Sequence, residues 1–256
     1  MNKIKISICG GSGKMGRMLI KKIFSNSNFI LHSVTDKNSI SLKKKFIQKN
    51  SFQAFKDTDI IIDFSSPNST VEILNIAKKL KKKVVIGTTG FSKKQENLIK
   101  DYSKKIAIFK SGNMSLGINL LEYAVKTLSK KIPNNYQIAI TDNHHKAKID
   151  YPSGTALMLA NAVARGKNKK LDKLKGKFFL NKNGNFRSNK INFFITRKGK
   201  TIGKHSVIYN NKIEIIELKH TAFSRELFAD GALKAAIWIS KKNKGLFNMQ
   251  DMFNLK

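Results

Sequence analysis

The chain is short of acid, of arginine, of proline (three residues) and of cysteine (one). The lone cysteine, Cys9, excludes a disulfide scaffold and any cysteine-based zinc cluster. No long unbroken apolar run occurs, so no transmembrane helix is expected. The opening residues, up to Gly11, lack the apolar stretch of a secretory signal. A soluble, cytoplasmic protein is the expectation.

Acid is scarce enough that 50 Lys plus Arg stand against 16 Asp plus Glu, a formal net charge of +34. Such an excess can mark a nucleic-acid or anionic-membrane partner. Two further absences argue against that reading. The only arginines are Arg17, Arg165, Arg187, Arg197 and Arg225, whereas base and phosphate readout leans on the planar guanidinium fork. The lysines are also scattered, and few aromatics interleave with them. The excess reads as codon bias, with no specific nucleic acid and no membrane expected as partner. A nonenzymatic polyanion-binding protein stays open as the alternative that the charge suggests.

What is present suffices for a packed core: 256 residues, of which 41% are hydrophobic, fit one large domain or two ordinary ones. Residues 4–9 alternate and end in glycines, the pattern of a strand running into a turn. Met15, Met18, Leu19 and Ile23 fall at helical spacing over 14–25. Strands are predicted at 29–35, 59–64, 83–86 and 106–109, and helices at 67–80 and 92–103. This alternation predicts a Rossmann-type, doubly wound parallel α/β sheet.

Past about residue 115 the rhythm changes, which predicts a second, α+β domain. A helix over 116–132, a strand over 136–142 and a serine-capped helix over 153–164 are expected. Strands at 192–196, 205–209 and 213–218 follow, expected to be consecutive and antiparallel, and then one amphipathic helix over 225–240. The basic stretch 165–190 reads as a mobile surface loop or lid around a short strand.

Gly10-Gly11-Ser12-Gly13-Lys14-Met15-Gly16 lies between the first strand and the first helix and satisfies G-x-G-x-x-G at Gly11, Gly13 and Gly16. Glycine there gives a tight turn, close approach of a pyrophosphate and packing of helix on strand. The anion would rest on free amides at the helix start. Asp36 ends the second predicted strand, 20 residues past Gly16, where an acid can bond the ribose 2′-hydroxyl. Lys37 beside it, with Lys43 further on, could instead hold a 2′-phosphate. A purely structural glycine turn is the competing reading. Gly87-Thr88-Thr89-Gly90 and Ser111-Gly112-Asn113-Met114 follow two further predicted parallel strands, along the edge where such sheets bind ligands.

The densest chemical stretch runs from Asp142 to Ala156 and holds His144, His145, Lys148, Ser153, Gly154 and Thr155. A histidine titrates near neutrality and suits proton transfer. Ser-Gly-Thr opens a helix, so its amides offer an anion site beside the cations. Together they suit a small carboxylated substrate. A metal on His144 and His145 is disfavoured, because adjacent side chains on a strand point apart and no Cys or Glu lies near; no metal is expected. A solvated basic turn is the structural alternative.

These pieces, in order, resemble the 4-hydroxy-tetrahydrodipicolinate reductase (dihydrodipicolinate reductase) family. The resemblance rests on the glycine turn, Ile62-Asp63-Phe64-Ser65, Gly87-Thr88-Thr89-Gly90, Asn113-Met114-Ser115-Leu116-Gly117 and His144-His145-Lys146-Ala147-Lys148-Ile149-Asp150. It continues through Pro152-Ser153-Gly154-Thr155-Ala156, Arg197-Lys198-Gly199, Gly203-Lys204-His205, His220-Thr221-Ala222 and the segment from Arg225 to Ala232. Departures are Asp142 where the family has Glu, Tyr151 where it has a small residue, and Ser111-Gly112 for Ala-Pro or Ala-Ala.

The resemblance implies a dinucleotide-binding domain over 1–114 and 221–256, and a substrate and oligomerisation domain over 115–220. It implies NADH- or NADPH-dependent reduction of a small dicarboxylate in the diaminopimelate route to lysine, by a homotetramer. His144 then matches the acid–base group and Lys148 the proton donor. His145, Ser153, Gly154 and Thr155 match substrate contacts. Gly10, Gly11, Ser12, Gly13, Lys14, Met15, Asp36, Lys37, Gly87, Thr88, Thr89, Ser111, Gly112, Asn113 and Met114 match cofactor contacts. The rival reading is another nicotinamide enzyme of similar build acting on a different small acid.

Overall fold

A computed structural model describes residues 3–37, 47–181 and 189–255; Lys43 and Arg187 lie outside the described residues. The chain forms two compact units, Met1–Ser115 with Glu226–Lys256, and Leu116–Arg225.

The first unit contains β1 (Ile4–Cys9), α1 (Lys14–Phe24), β2 (Phe29–Thr35), β3 (Ile47–Gln48), α2 (Phe52–Phe55), β4 (Ile60–Asp63) and α3 (Pro67–Lys79). Then come β5 (Lys83–Ile86), α4 (Lys93–Ser103) and β6 (Ala107–Lys110). The second unit holds α5 (Leu116–Lys131), β7 (Gln137–His144), α6 (Gly154–Gly166), α7 (Leu171–Leu174), β8 (Lys175–Leu180), β9 (Ile191–Arg197), β10 (Gly203–Asn210) and β11 (Ile215–Ala222). The chain returns to the first unit with α8 (Glu226–Ser240), β12 (Gly245–Phe247) and α9 (Met249–Met252).

The first sheet has the order β12-β6-β5-β4-β1-β2-β3, with every pairing parallel. Its central strands are apolar and buried on both faces, as in Ile60-Ile61-Ile62, because helices cover both sides. Two of its helices begin where the sequence supplies a start: Ser66 caps α3 with Pro67 in its first turn, and Ser92 with Gln95 forms a capping box on α4. On α8, Ala229, Ala232, Ala235 and Ala236 are small enough to sit in the core with Ile8, Ile62 and Phe109. Strand order reverses between β1 and β4, and their carboxyl ends are level, Cys9 opposite Asp63. That is the switch point where doubly wound sheets bind ligands.

The second sheet has the order β11-β10-β7-β9-β8. Only part of the predicted antiparallel arrangement forms. β10 and β11 pair as expected, but β9 pairs parallel with β7, which lies between β9 and β10. The short 198–202 connection arches over the end of β7 and is stitched to it: Lys198 N donates to His144 O, and His145 N donates to Thr201 O. Two strands joined by five residues usually pair with each other; here those bonds hold the connection over a third strand. The basic 165–190 stretch holds the expected short strand, β8, but its residues 165–181 are more ordered than a loop or lid, and 182–188 lie outside the described residues. α6 runs to Gly166, and α7 and β8 follow, with Leu174 buried and Leu171 and Leu180 packed on the core.

Candidate functional site

The glycine turn of the first unit has the shape its residues require. Gly10 has a φ of +81°, and a Cβ on it would stand 2.4 Å from the Phe64 carbonyl oxygen. A Cβ on Gly16 would stand 2.2 Å from the Gly10 carbonyl oxygen. The turn can therefore approach α1 and β4 only because both positions are bare. α1 starts at Gly13 with no side-chain cap and no acid in its first turn. Its leading amides are accordingly left to serve an anion.

A cavity of about 590 Å³ opens beside this turn. Of the expected cofactor residues, Gly10, Ser12, Gly13, Asp36 and Lys37 line it. Asp36 Oδ2 accepts from Ser12 N at 2.8 Å, so the acid just past β2 is tied to the glycine turn. Lys49, Asn50, Ser65, Ser66, Ser69 and Glu72 also line the cavity and were not expected from sequence. Their signal is faint, since serine and asparagine at strand ends look like ordinary turn residues.

The remaining expected residues lie elsewhere in the unit. Gly11 is buried behind the turn, and Lys14 and Met15 are on α1. Gly87, Thr88 and Thr89 follow β5, and Ser111, Gly112 and Asn113 follow β6, along the same carboxyl edge of the sheet. Thr88 Oγ1 accepts from Ser65 N at 3.0 Å, and Ser111 Oγ donates to Asn113 O at 2.7 Å. Met114 is in the core, and a Cβ on Gly231 of α8 would stand 1.7 Å from its carbonyl oxygen. Its side chain therefore serves packing.

Asp63 anchors this edge. It is fully buried, and Ser65 N, Ser65 Oγ, Thr70 Oγ1 and Thr88 Oγ1 all donate to its carboxylate. Burial pushes its carboxyl pKa up, and these four donors oppose that rise.

The second unit gathers a different cluster on β7, the middle strand of its sheet. β7 runs on to His144, so Asp142 and His144 lie two residues apart and share a face. His144 Nδ1 is 3.0 Å from Asp142 Oδ1. His205 Nε2, on β10, is 3.2 Å from the same oxygen and 3.2 Å from Ser153 Oγ. Arg197 Nη2, on β9, donates to Asp142 Oδ2 at 2.9 Å, and Ser153 N donates there at 2.7 Å. Burial alone would raise the Asp142 carboxyl. The surrounding His144, His205, Ser153 amide and Arg197 outweigh it and hold the pKa well below the carboxylate range. Burial pushes the His205 pKa down, against the pull of Asp142.

Asp142, His144 and His205 also form the one group of potential metal donors among the described residues, with ligand atoms within 4.8 Å of one another. The other carboxylate oxygen already has a cation, Arg197, so the cluster balances its charge from within.

Lys148 Nζ is bound to both oxygens of Asp150. His145 Nε2 is 3.5 Å from Arg225 Nη2. Ser153 caps α6 by accepting from Ala156 N at 3.2 Å, and a Cβ on exposed Gly154 would meet nothing within 4 Å. Gly154 is thus exposed at the start of α6, beside Thr155. A lysine, a buried histidine and a helix start sit in one short segment, 144–155.

The doubly wound sheet with its bare glycine turn places the chain among dinucleotide-dependent oxidoreductases. Residues 4–114 match the family described as dihydrodipicolinate reductase, N-terminus, and residues 117–253 match dihydrodipicolinate reductase, C-terminus. The 4-hydroxy-tetrahydrodipicolinate reductase of Pelagibacter ubique (strain HTCC1062) is 51% identical over 258 residues, covering 100% of both chains. That of Buchnera aphidicola subsp. Cinara cedri (strain Cc) is 42% identical, over 98% of this chain and 97% of its own. The chain belongs to the dihydrodipicolinate reductase family.

Among solved structures, the dipicolinate-bound dihydrodipicolinate reductase from Paenisporosarcina sp. TG-14 aligns with a TM-score of 0.78 at 20% identity, over 98% of this chain and 99% of its own. A DAP dehydrogenase of C. glutamicum aligns at 0.58 with 12% identity, over 100% of this chain and 96% of its own. The fold is thus common to enzymes with different substrates and does not by itself select one.

Proposed function

We propose that this chain reduces 4-hydroxy-tetrahydrodipicolinate, by way of the dihydrodipicolinate formed on loss of water, to tetrahydrodipicolinate in the diaminopimelate route to lysine. Family membership supports the reaction, and the segment from His144 to Thr155 carries the assignment of residues.

The first unit binds the dinucleotide, which supplies the hydride when bound. The uncapped start of α1 holds its pyrophosphate, and Asp36 and Lys37 compete over the ribose. Both NADH and NADPH serve, with NADH at least as good at physiological salt. In the second unit the amides of Gly154 and Thr155, with His145, hold the substrate carboxylates. His144 and Lys148 manage the proton that must join the ring after hydride arrives. Hydride addition builds negative charge on the substrate, and a cation placed to protonate it lowers that barrier. The enzyme acts as a cytoplasmic homotetramer assembled through the sheet of the second unit. No helix among the described residues is long and apolar enough to cross a membrane.

A direct assay tests the reading. Reduced nicotinamide is oxidised when the product of dihydrodipicolinate synthase is supplied, and no oxidation with either cofactor rejects it.

A further inference from the structure

Asp142 is wholly buried, yet four groups from four elements converge on its two oxygens: the imidazoles of His144 from β7 and His205 from β10 beside Oδ1, and Arg197 from β9 with the Ser153 amide ahead of α6 on Oδ2. Arg197 also donates through Nη1 to the Asp142 main-chain oxygen at 2.8 Å, and through Nη2 to Asp150 O at 2.8 Å. The carboxylate is therefore held at Oδ2 by the Ser153 amide and Arg197, which keeps Oδ1 3.0 Å from His144 Nδ1. His144 is 8% exposed, so its orientation is set by this protein environment.

We propose that Asp142 is the positioning residue for His144: it engages Nδ1, fixes the ring and its tautomer, and leaves Nε2 as the atom that exchanges a proton with substrate. Gly203 agrees with this assignment. A Cβ there would stand 3.3 Å from His144 Nε2, so a bare position at the start of β10 keeps side-chain bulk away from that nitrogen. A carboxylate on one imidazole nitrogen fixes which nitrogen carries the proton, and so defines the working one. Asp142 does not itself touch the substrate. Arg197 has a supporting part, since it neutralises Asp142 and ties the loop of Lys148 and Asp150 to the same point.

The inference rests on the reading of His144 as a proton-transfer group, and the test separates the two. Asp142→Asn keeps the shape and removes the charge. Turnover is expected to fall about a hundredfold, the range of acid–base contributions, with the Michaelis constant for the dinucleotide unchanged. Nitrogen-15 NMR of the imidazole is expected to show the Nδ1-protonated tautomer of His144 in the wild type, and a mixture of tautomers in Asp142→Asn. Asp142→Glu restores the carboxylate and is expected to recover turnover to within about tenfold of wild type. If Asp142→Asn does not fold, retention of the Nδ1 proton and of activity in Asp142→Glu supports the proposal, and their loss overturns it. Wild-type turnover or an unchanged tautomer in folded Asp142→Asn overturns it as well. If His144→Ala is inactive while Asp142→Asn is not, this proposal alone fails. Full turnover in His144→Ala removes the proton-transfer reading beneath it.

Discussion

Lys148 Nζ lies 2.7 Å from Asp150 Oδ1 and 2.8 Å from Asp150 Oδ2, so the proposed proton donor is already paired with a carboxylate two residues along the chain. An incoming substrate carboxylate must compete with Asp150 for this cation. The Asp150 side chain is 62% exposed, and such pairs contribute only about 0.2–1 kcal/mol.

That magnitude sets the first prediction. Asp150→Asn releases Lys148 and should tighten binding of a dicarboxylate such as dipicolinate by roughly two- to fivefold. Isothermal titration measures it, and weaker binding in the variant would mean that Asp150 helps to hold the ligand.

His144→Ala or Lys148→Ala should each lower turnover by about a hundredfold or more. Both residues are in the second unit and the glycine turn is in the first, so dinucleotide affinity should stay at the wild-type value. Steady-state kinetics with fluorescence titration of the cofactor separates the two effects.

Cofactor choice rests on neighbours with opposite charge. Asp36 accepts from Ser12 N and presents its carboxylate to the cavity, which favours ribose hydroxyls and repels a 2′-phosphate. Lys37 lines the same cavity as a point charge without the bidentate reach of arginine. Lys37→Ala should raise the Michaelis constant for NADPH and spare NADH, and Asp36→Ala should do the reverse. Salt screens the phosphate contact, so lowering it from about 0.15 M should improve NADPH more than NADH. Strict dependence on NADPH at that salt would contradict this account.

Acid should weaken the fold in two stages. Burial depresses the folded-state pKa of His205, and of His220 on β11, below the ordinary 6.5, so stability from these groups is lost as pH falls through that value. Asp142 is depressed below its ordinary 3.8, so its contribution persists above that pH and is lost below it. Asp63, raised by burial, works the other way and offsets part of the second stage. Urea midpoints should therefore decline from about pH 7 to pH 5 and again below about pH 4. Asp142→Asn should blunt only the later decline.

The first unit was largely legible in the sequence, because its signals are local. Alternation marks β1, the glycines mark the turn, and Ser66 and Ser92 mark helix starts at the positions where α3 and α4 begin. The two-residue β3, the short α2 and the returning β12 carry no such pattern and were missed. In the second unit His144, Lys148 and the Ser153 cap could be read, but the environment of His144 could not. Arg197 and His205 reach Asp142 only because β7 separates β9 from β10. A prediction that paired those two strands with each other had no way to place their side chains on both sides of one carboxylate. Periodicity identifies a strand and its buried face, but strand order depends on long-range bonds such as those between the 198–202 connection and the end of β7.

The placement of that carboxylate between two ladders bears on folding fidelity. His205 stands opposite Asp142 on one side, and Arg197 stands opposite His144 on the other. Because side chains alternate between faces, a slip of one residue in the β7–β10 ladder would turn His205 away, and the same slip in β7–β9 would turn Arg197 away. The second error strands the buried Asp142 carboxylate without its cation, at a cost of about 3–5 kcal/mol, and the first takes an imidazole from its other oxygen. Apolar neighbours such as Ile140 and Val207 tolerate small shifts in packing, but an anion with fixed partners does not. The cluster therefore works as a checksum on the assembly of the sheet, penalising each wrong register before any substrate is bound.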